Sequence, residues 1–337
     1  MTSTFDNKYN FDSNLPDPMN DLFLNTFLSV FQGIAKIFIV AGIAGLLVWR
    51  KVIQQSFIDG LSKIMVYVFL PSMIFSTIIS DFNPQQDRYW WAIPLAAIIV
   101  TLIGLGIGAL LFIPDFKQHR NILPLASMPN AAYLVLPIGE FLYHDQFSQF
   151  AVYCFLVVLG LNPVFWTVGL YFVTERKKGD FHWKQLLTPP FLVNIISILL
   201  VLSTVHKHIP SLVTDSFDML GKAAVPSATF ILGATLAANV KSLPGFWVTL
   251  RITFVKFVIV PAMAVSILYA LKTYKLNPLL ADEMIIQSAA APATALILQV
   301  RTYGGDLKKI GGITFISYLI TLVAIPLWLT IWKIITN

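Results

Sequence analysis

Two apolar stretches carry the residue types best suited to chemistry. In Ala126 to Tyr143, a run long enough to cross a membrane is interrupted by Pro129 and Pro137, and Asn130 follows the first proline. In Ala289 to Tyr303, Pro292 is followed by Ala293 and Thr294 and stands 163 positions after Pro129. A helix broken at membrane depth exposes backbone groups that lipid cannot satisfy, so breaks are tolerated only where protein or a watered cavity supplies partners. Each break also starts a second half-helix whose amino end carries about half a positive charge. Two such ends converging from opposite sides predict an anion site near the bilayer midplane, with Asn130 able both to donate and to accept. The alternative is a pair of kinked, packed helices; the matched spacing of the two breaks favours the site.

Other polar groups within apolar runs are secondary candidates. Lys222 falls near half depth in its segment, where an ionisable group is costly and hence a functional suspect. Asp218, four residues earlier, either gates with it or simply neutralises it. Asp59 and Lys63 share that spacing near an interface, where Lys63 can snorkel. Snorkelling also suits Lys36, whereas Lys256, without an evident partner, is open between a cavity role and a structural one. Asn194, Gln287 and Gln299 need hydrogen-bond partners in apolar surroundings. For Asn194, bonding between helices and contact with substrate are equally served. Glu140 and Asp145 flank the outer end of the first broken segment and could bind a proton or cation, but an interfacial position fits them better.

The glycines of Gly104-Leu-Gly-Ile-Gly108 lie inside an apolar run with no preceding strand, which favours close helix packing over a phosphate loop. None of the five histidines has His-Glu-x-x-His spacing, and no Gly-x-Ser-x-Gly elbow occurs; His206 and His208 in a short loop could hold a metal, but a solvated loop fits them better. The expectation is a non-enzyme without metal or cofactor; a coupling proton or sodium ion is left open.

The elements that must position these residues follow from composition. With 57% hydrophobic and 12% charged residues over 337 positions, the charged fraction is about half that of a soluble domain, so the chain reads as an all-α, multi-pass integral membrane protein. The formal charge of +6 sits in short connections, which speaks for topology and against a nucleic-acid partner. Cys154 is the sole cysteine, excluding an internal disulfide. Residues 1–22 are polar and acidic and lack a signal-peptide pattern, so they read as a disordered extracytoplasmic tail.

Apolar segments of spanning length fall near 23 to 49, 57 to 80, 90 to 113, 121 to 142 and 147 to 173, and again near 189 to 205, 211 to 238, 246 to 271, 280 to 300 and 309 to 334. The first five form one repeat, 23–173; a basic cytoplasmic linker, 174–188, leads to the second, 189–337. Pro163 and Pro326 are also 163 apart, and Asp59-Gly-Leu-Ser-Lys63 has a counterpart in Asp218-Met-Leu-Gly-Lys222. Repeats with an odd number of crossings must sit in opposite orientations, and inverted repeats point to alternating access. Basic residues concentrate at Arg50 and Lys51, Lys117 and Arg120, Arg176 to Lys184, and Arg301 to Lys309. The positive-inside rule then places both termini outside a plasma or inner membrane.

Leu61-Ser-Lys to Leu70-Pro-Ser-Met-Ile-Phe75, Met128-Pro-Asn-Ala-Ala to Leu136-Pro-Ile-Gly139, and Ala290-Ala-Pro-Ala with Tyr303-Gly-Gly-Asp306 together resemble the auxin efflux carrier family. That resemblance implies ten transmembrane helices in two inverted five-helix repeats, with the fourth and ninth helices broken and crossing at their prolines. It also implies a secondary carrier that moves a small organic anion by elevator-type alternating access. On this analogy Pro129, Asn130 and Pro292 match the crossover; from the residue reading, Ala131, Asn194, Ala293 and Thr294 join them as substrate-binding candidates, with Lys222 and Asp218 as gating or counter-ion candidates. Plant carriers of the family place an asparagine directly after the proline that opens the sixth helix, where this chain has Phe191 after Pro190 and Asn194 further on. The expected partners are a small carboxylate and the lipid bilayer, with a homodimer as the candidate assembly. A sodium-coupled bile-acid-type symporter and a non-transporting sensor of the same fold are the alternatives, the latter disfavoured because neither tail nor linker has room for a signalling domain.

Overall fold

A computed structural model describes residues 18–174, 183–239 and 245–336. Among these residues the chain is all-helical, without strands, and seven helices are long and apolar enough to cross a membrane. The helices are α1 (Pro18–Trp49), α2 (Gln55–Asp81), α3 (Ala92–Leu111), α4 (Val135–Leu142), α5 (His144–Val173) and α6 (Pro189–Leu202). They continue as α7 (Ser211–Asn239), α8 (Phe246–Ala270), α9 (Pro278–Ala289), α10 (Ala295–Tyr303) and α11 (Leu307–Thr336). Residues 18–22, part of the stretch expected to be a disordered tail, are already helical in α1; residues 1–17 and most of the expected linker lie outside the described residues.

Prolines shape the long helices. The ring removes one N–H and clashes with the carbonyl four residues back, and a widened π turn relieves that clash. Such turns sit at Met65–Phe69 before Pro71 in α2 and at Val255–Ile259 before Pro261 in α8, each holding the carbonyl four residues before its proline; a third, Phe165–Gly169 in α5, follows Pro163 instead.

The fourth apolar segment departs most from expectation. Its first half, Arg120–Ala126, is a tight 3-10 stretch containing Pro124. Its second half-helix begins only at Val135, after a turn, so the amino end lies beyond Asn130 instead of at it. The other broken segment matches expectation more closely: α9 stops at Ala289 and α10 starts at Ala295.

Packing sorts the helices into two groups. In one, α1 lies along α7, and α2 along α6 and α7. Gly233 of α7 meets α1 so closely that a Cβ there would stand 1.9 Å from the Ala41 carbonyl oxygen. In the other group α3 packs on α5, α9 on α8 and α11, and α5 on α9. The groups meet where α1 contacts α11 and α4, and where α2 contacts α5.

At one end of the bundle Asp115 accepts from Arg251 at 3.5 Å and lies 3.2 Å from His119, and Lys309 Nζ stands 2.7 Å from His119 Nδ1. Burial, aided by the Lys309 ammonium, holds the His119 imidazole below its ordinary pKa. At the opposite end Asp282 accepts from Lys333 at 2.5 Å and from Tyr143 at 3.0 Å.

Candidate functional site

The two breaks meet in the interior. Met128, Pro129 and Asn130 run antiparallel to Ala291, Pro292 and Ala293 and form an isolated bridge. Asn130 N donates to Ala291 O at 2.8 Å, and Ala293 N donates to Met128 O at 3.1 Å. The two bonds are reciprocal: in each, the residue after one proline donates to the residue before the other. Proline suits the centre of such a bridge because it has no N–H to leave unsatisfied. Met128 and Ala293 belong to one buried apolar cluster and Ala131, Ala290 and Ala291 to another, so the bridge is the seam between two cores.

The Asn130 side chain fastens this junction to α11. Its Nδ2 donates to Tyr318 Oη at 2.5 Å and, more weakly, towards Thr294 Oγ1 at 3.4 Å, while its Oδ1 accepts from Tyr133 N at 3.2 Å. Asn130, Thr294 and Tyr318 are all buried. Thus Pro129, Asn130, Ala131, Pro292, Ala293 and Thr294 are brought together as the spacing predicts, but the Asn130 amide is engaged by protein. Tyr318, which holds it, carried no sequence signal beyond being a polar tip in an apolar run.

On α9, one turn before the break, Gln287 Nε2 donates to Glu283 Oε1 at 2.9 Å and to Ala131 O at 3.3 Å. Glu283 is wholly buried, and its Oε2 has no partner among the described residues. Glu283 lies inside the 280 to 300 segment but carried no assignment from the sequence; its i, i+4 relation to Gln287, already a candidate, was the available signal.

On the other flank, Lys256 in the π turn of α8 is also wholly buried, and its ammonium donates to Ser288 O at 3.0 Å. That carbonyl is among those freed where α9 stops, a favourable place for a cation. Gly104 lets α3 approach here, since a Cβ would lie 2.8 Å from Ser127 Cβ, in keeping with a packing role for the glycine run.

The remaining candidates lie apart from the junction. Asn194 is buried and donates to Phe155 O at 2.7 Å, tying α6 to α5, as expected of a bond between helices. Lys222 pairs with Asp218 at 2.7 Å, and both side chains are more than half exposed (76% and 52%), which fits self-neutralisation. Lys36 lies over the Phe141 ring at 4.2 Å. No group of three or more metal-ligating side chains occurs among the described residues.

The sequence comparisons place the chain in a family. The model of the family described as "Membrane transport protein" matches residues 29–329. The chain belongs to this family, that of the auxin efflux carriers. It is also similar to an uncharacterized transporter of Methanocaldococcus jannaschii, with 24% identity over 290 residues that cover 82% of this chain and 90% of the relative. This auxin efflux carrier family member is therefore a multi-pass membrane transporter.

Proposed function

We propose that this transporter is a secondary carrier that moves a small organic anion or carboxylate by elevator-type alternating access, with substrate held where the fourth and ninth segments cross. The reciprocal bridge between Pro129 and Pro292 carries the proposal. Its two-fold bonding pattern is what two inverted five-helix repeats would generate at their shared axis, and irregular backbone at membrane depth is the common site of solute binding in such carriers. The packing of α1, α2, α6 and α7 on one another would supply a scaffold for the other group to slide against. The basic end around Arg251, Arg301 and Lys309 would face the cytoplasm, which sets both termini outside.

Counterflow of labelled small carboxylates into proteoliposomes tests this directly. Wild type should exchange at least one of them, and Asn130→Ala should lose the exchange while remaining monodisperse. Flux unchanged in Asn130→Ala would sink the site assignment; absence of exchange across a broad carboxylate panel would sink the carrier.

A second reading, sodium- or proton-coupled symport, is favoured by one observation: the buried Glu283 carboxyl, with a partnerless oxygen, beside the Gln287 amide that reaches the junction. Burying an unpaired carboxylate is costly, so a proton or a cation at that position would relieve it. Dependence of counterflow on sodium or on pH, lost in Glu283→Gln, separates symport from uniport.

A further inference from the structure

Lys256 opens onto a half-open cavity of about 80 Å³ that reaches the junction and is bounded by α3, α5, α8 and α9. Ser127 and Pro129 line it from the broken fourth segment, and Gln287 and Ser288 from α9. Lys256 is the one charged residue among the lining residues. Its only hydrogen-bond acceptor among the described residues is the Ser288 carbonyl, which leaves two of three ammonium donors unused. Ser127 Oγ is buried and has no partner there either. A buried cation satisfied by one neutral carbonyl is under-compensated, because desolvation of an ammonium is repaid only by an opposing charge with further hydrogen bonds.

The rest of the wall is mostly aliphatic, with Val100, Leu161, Val260 and Ala264 among it and the Thr101 hydroxyl as a further polar group. Taking roughly 30 Å³ per water in the liquid, the cavity has the room of about two to three waters, enough for a carboxylate group, with a short alkyl group extending toward its open side.

We propose that this cavity is a binding site for a small aliphatic monocarboxylate, with Lys256 Nζ and Ser127 Oγ holding the carboxylate and the aliphatic wall holding the chain. The proposal rests on the carrier reading above and narrows its substrate class. One cation and one hydroxyl match one carboxylate. The second carboxylate of a dianion would find no second cation in the cavity. Because Pro129, Gln287 and Ser288 belong to the same wall, a ligand seated there touches both sides of the junction.

The test is the thermal unfolding of the purified full-length protein in detergent against sodium acetate, propionate and isobutyrate. Sodium chloride and sodium succinate at equal ionic strength serve as controls. A monocarboxylate should raise the melting temperature saturably, since a ligand that binds only the folded state stabilises it, and succinate should match chloride. Lys256→Gln, which keeps a donor but removes the charge, should weaken binding on the order of a hundredfold. Ser127→Ala should weaken it about three- to tenfold, and Ala264→Leu, which fills the cavity, should abolish it.

No saturable shift with any of the three monocarboxylates, a succinate shift of the same size, or unchanged binding in Ser127→Ala and Ala264→Leu would each overturn the proposal. The last criterion holds even if Lys256→Gln does not fold. Counterflow of a dianion without monocarboxylate binding would overturn this proposal and leave the carrier standing; monocarboxylate binding without flux would do the reverse.

Discussion

Replacing Asn130 by alanine removes the side chain that fastens the junction to α11. Two well-formed bonds go, to Tyr318 Oη at 2.5 Å and from Tyr133 N at 3.2 Å; the 3.4 Å contact with Thr294 adds little. The Tyr133 N–H and the Tyr318 oxygen are then left without partners in a dry interior, at about 1–3 kcal/mol for each such group. Hydrogen bonds within membrane proteins measure towards the low end of that range, so the expected total is about 2–3 kcal/mol. Tyr318→Phe should cost about 1–2 kcal/mol, since Asn130 keeps its bond from Tyr133 N. Because both changes break the same short bond, the double variant should be more stable than the sum of the singles by about 1 kcal/mol. Equilibrium unfolding in mixed micelles, followed by tryptophan fluorescence, gives all three values. A cost for Asn130→Ala below about 0.5 kcal/mol, or additivity within about 0.5 kcal/mol, would refute the view that this amide locks the junction.

Gly233→Ala should destabilise the protein by about 1–3 kcal/mol, because its Cβ would meet backbone at Ala41. Gly42→Ala, with open space around it, should be neutral or stabilising by up to about 1 kcal/mol, and thermal unfolding of the pair checks both. His119 has a lowered pKa when folded, so in the window between that value and its ordinary one the unfolded chain binds more protons and stability falls with falling pH. Its contribution should be complete above about pH 6.5 and decline below it. Melting temperatures from pH 8 to pH 5 should drop less in His119→Gln than in wild type. Cys154 is fully buried, with its Sγ 3.6 Å from both Ala131 O and Gln287 Nε2. Maleimide should label it only after denaturation, as read by mass spectrometry; rapid labelling of folded protein would contradict its packing against the junction.

Much of this molecule was legible because a lipid environment constrains sequence strongly. Apolar runs mark helices wherever the backbone must satisfy itself, and the matched Pro129 and Pro292 marked both breaks. Local geometry was less visible. The 3-10 form of Arg120–Ala126 and the late start of α4 at Val135 depend on the bonds that Met128 and Asn130 make to a segment more than 160 residues away. Helix orientation was hidden too. A segment apolar on all sides does not say which face turns inward, so Lys222 could be placed at depth by counting yet stands exposed. By the same token Lys256 and Glu283, on comparably apolar helices, are fully buried. The resemblance to a carrier family supplied the pairing of the two breaks with transport, whereas the cavity beside Lys256 required coordinates, since its walls come from five separate stretches of chain.

The sliding of one helix group past the other is the central claim, and a reversible tether across the groups tests it most directly. Arg301 of α10 reaches Gln55 and Asp59 of α2 at 2.8 and 3.6 Å, so Asp59→Cys with Arg301→Cys, in a Cys154→Ser background, places two thiols across the boundary. Counterflow in proteoliposomes should cease when a cleavable bifunctional thiol reagent bridges them and return when the bridge is cut. The single-cysteine controls should be unaffected by the reagent. Full exchange with the bridge intact would contradict the account.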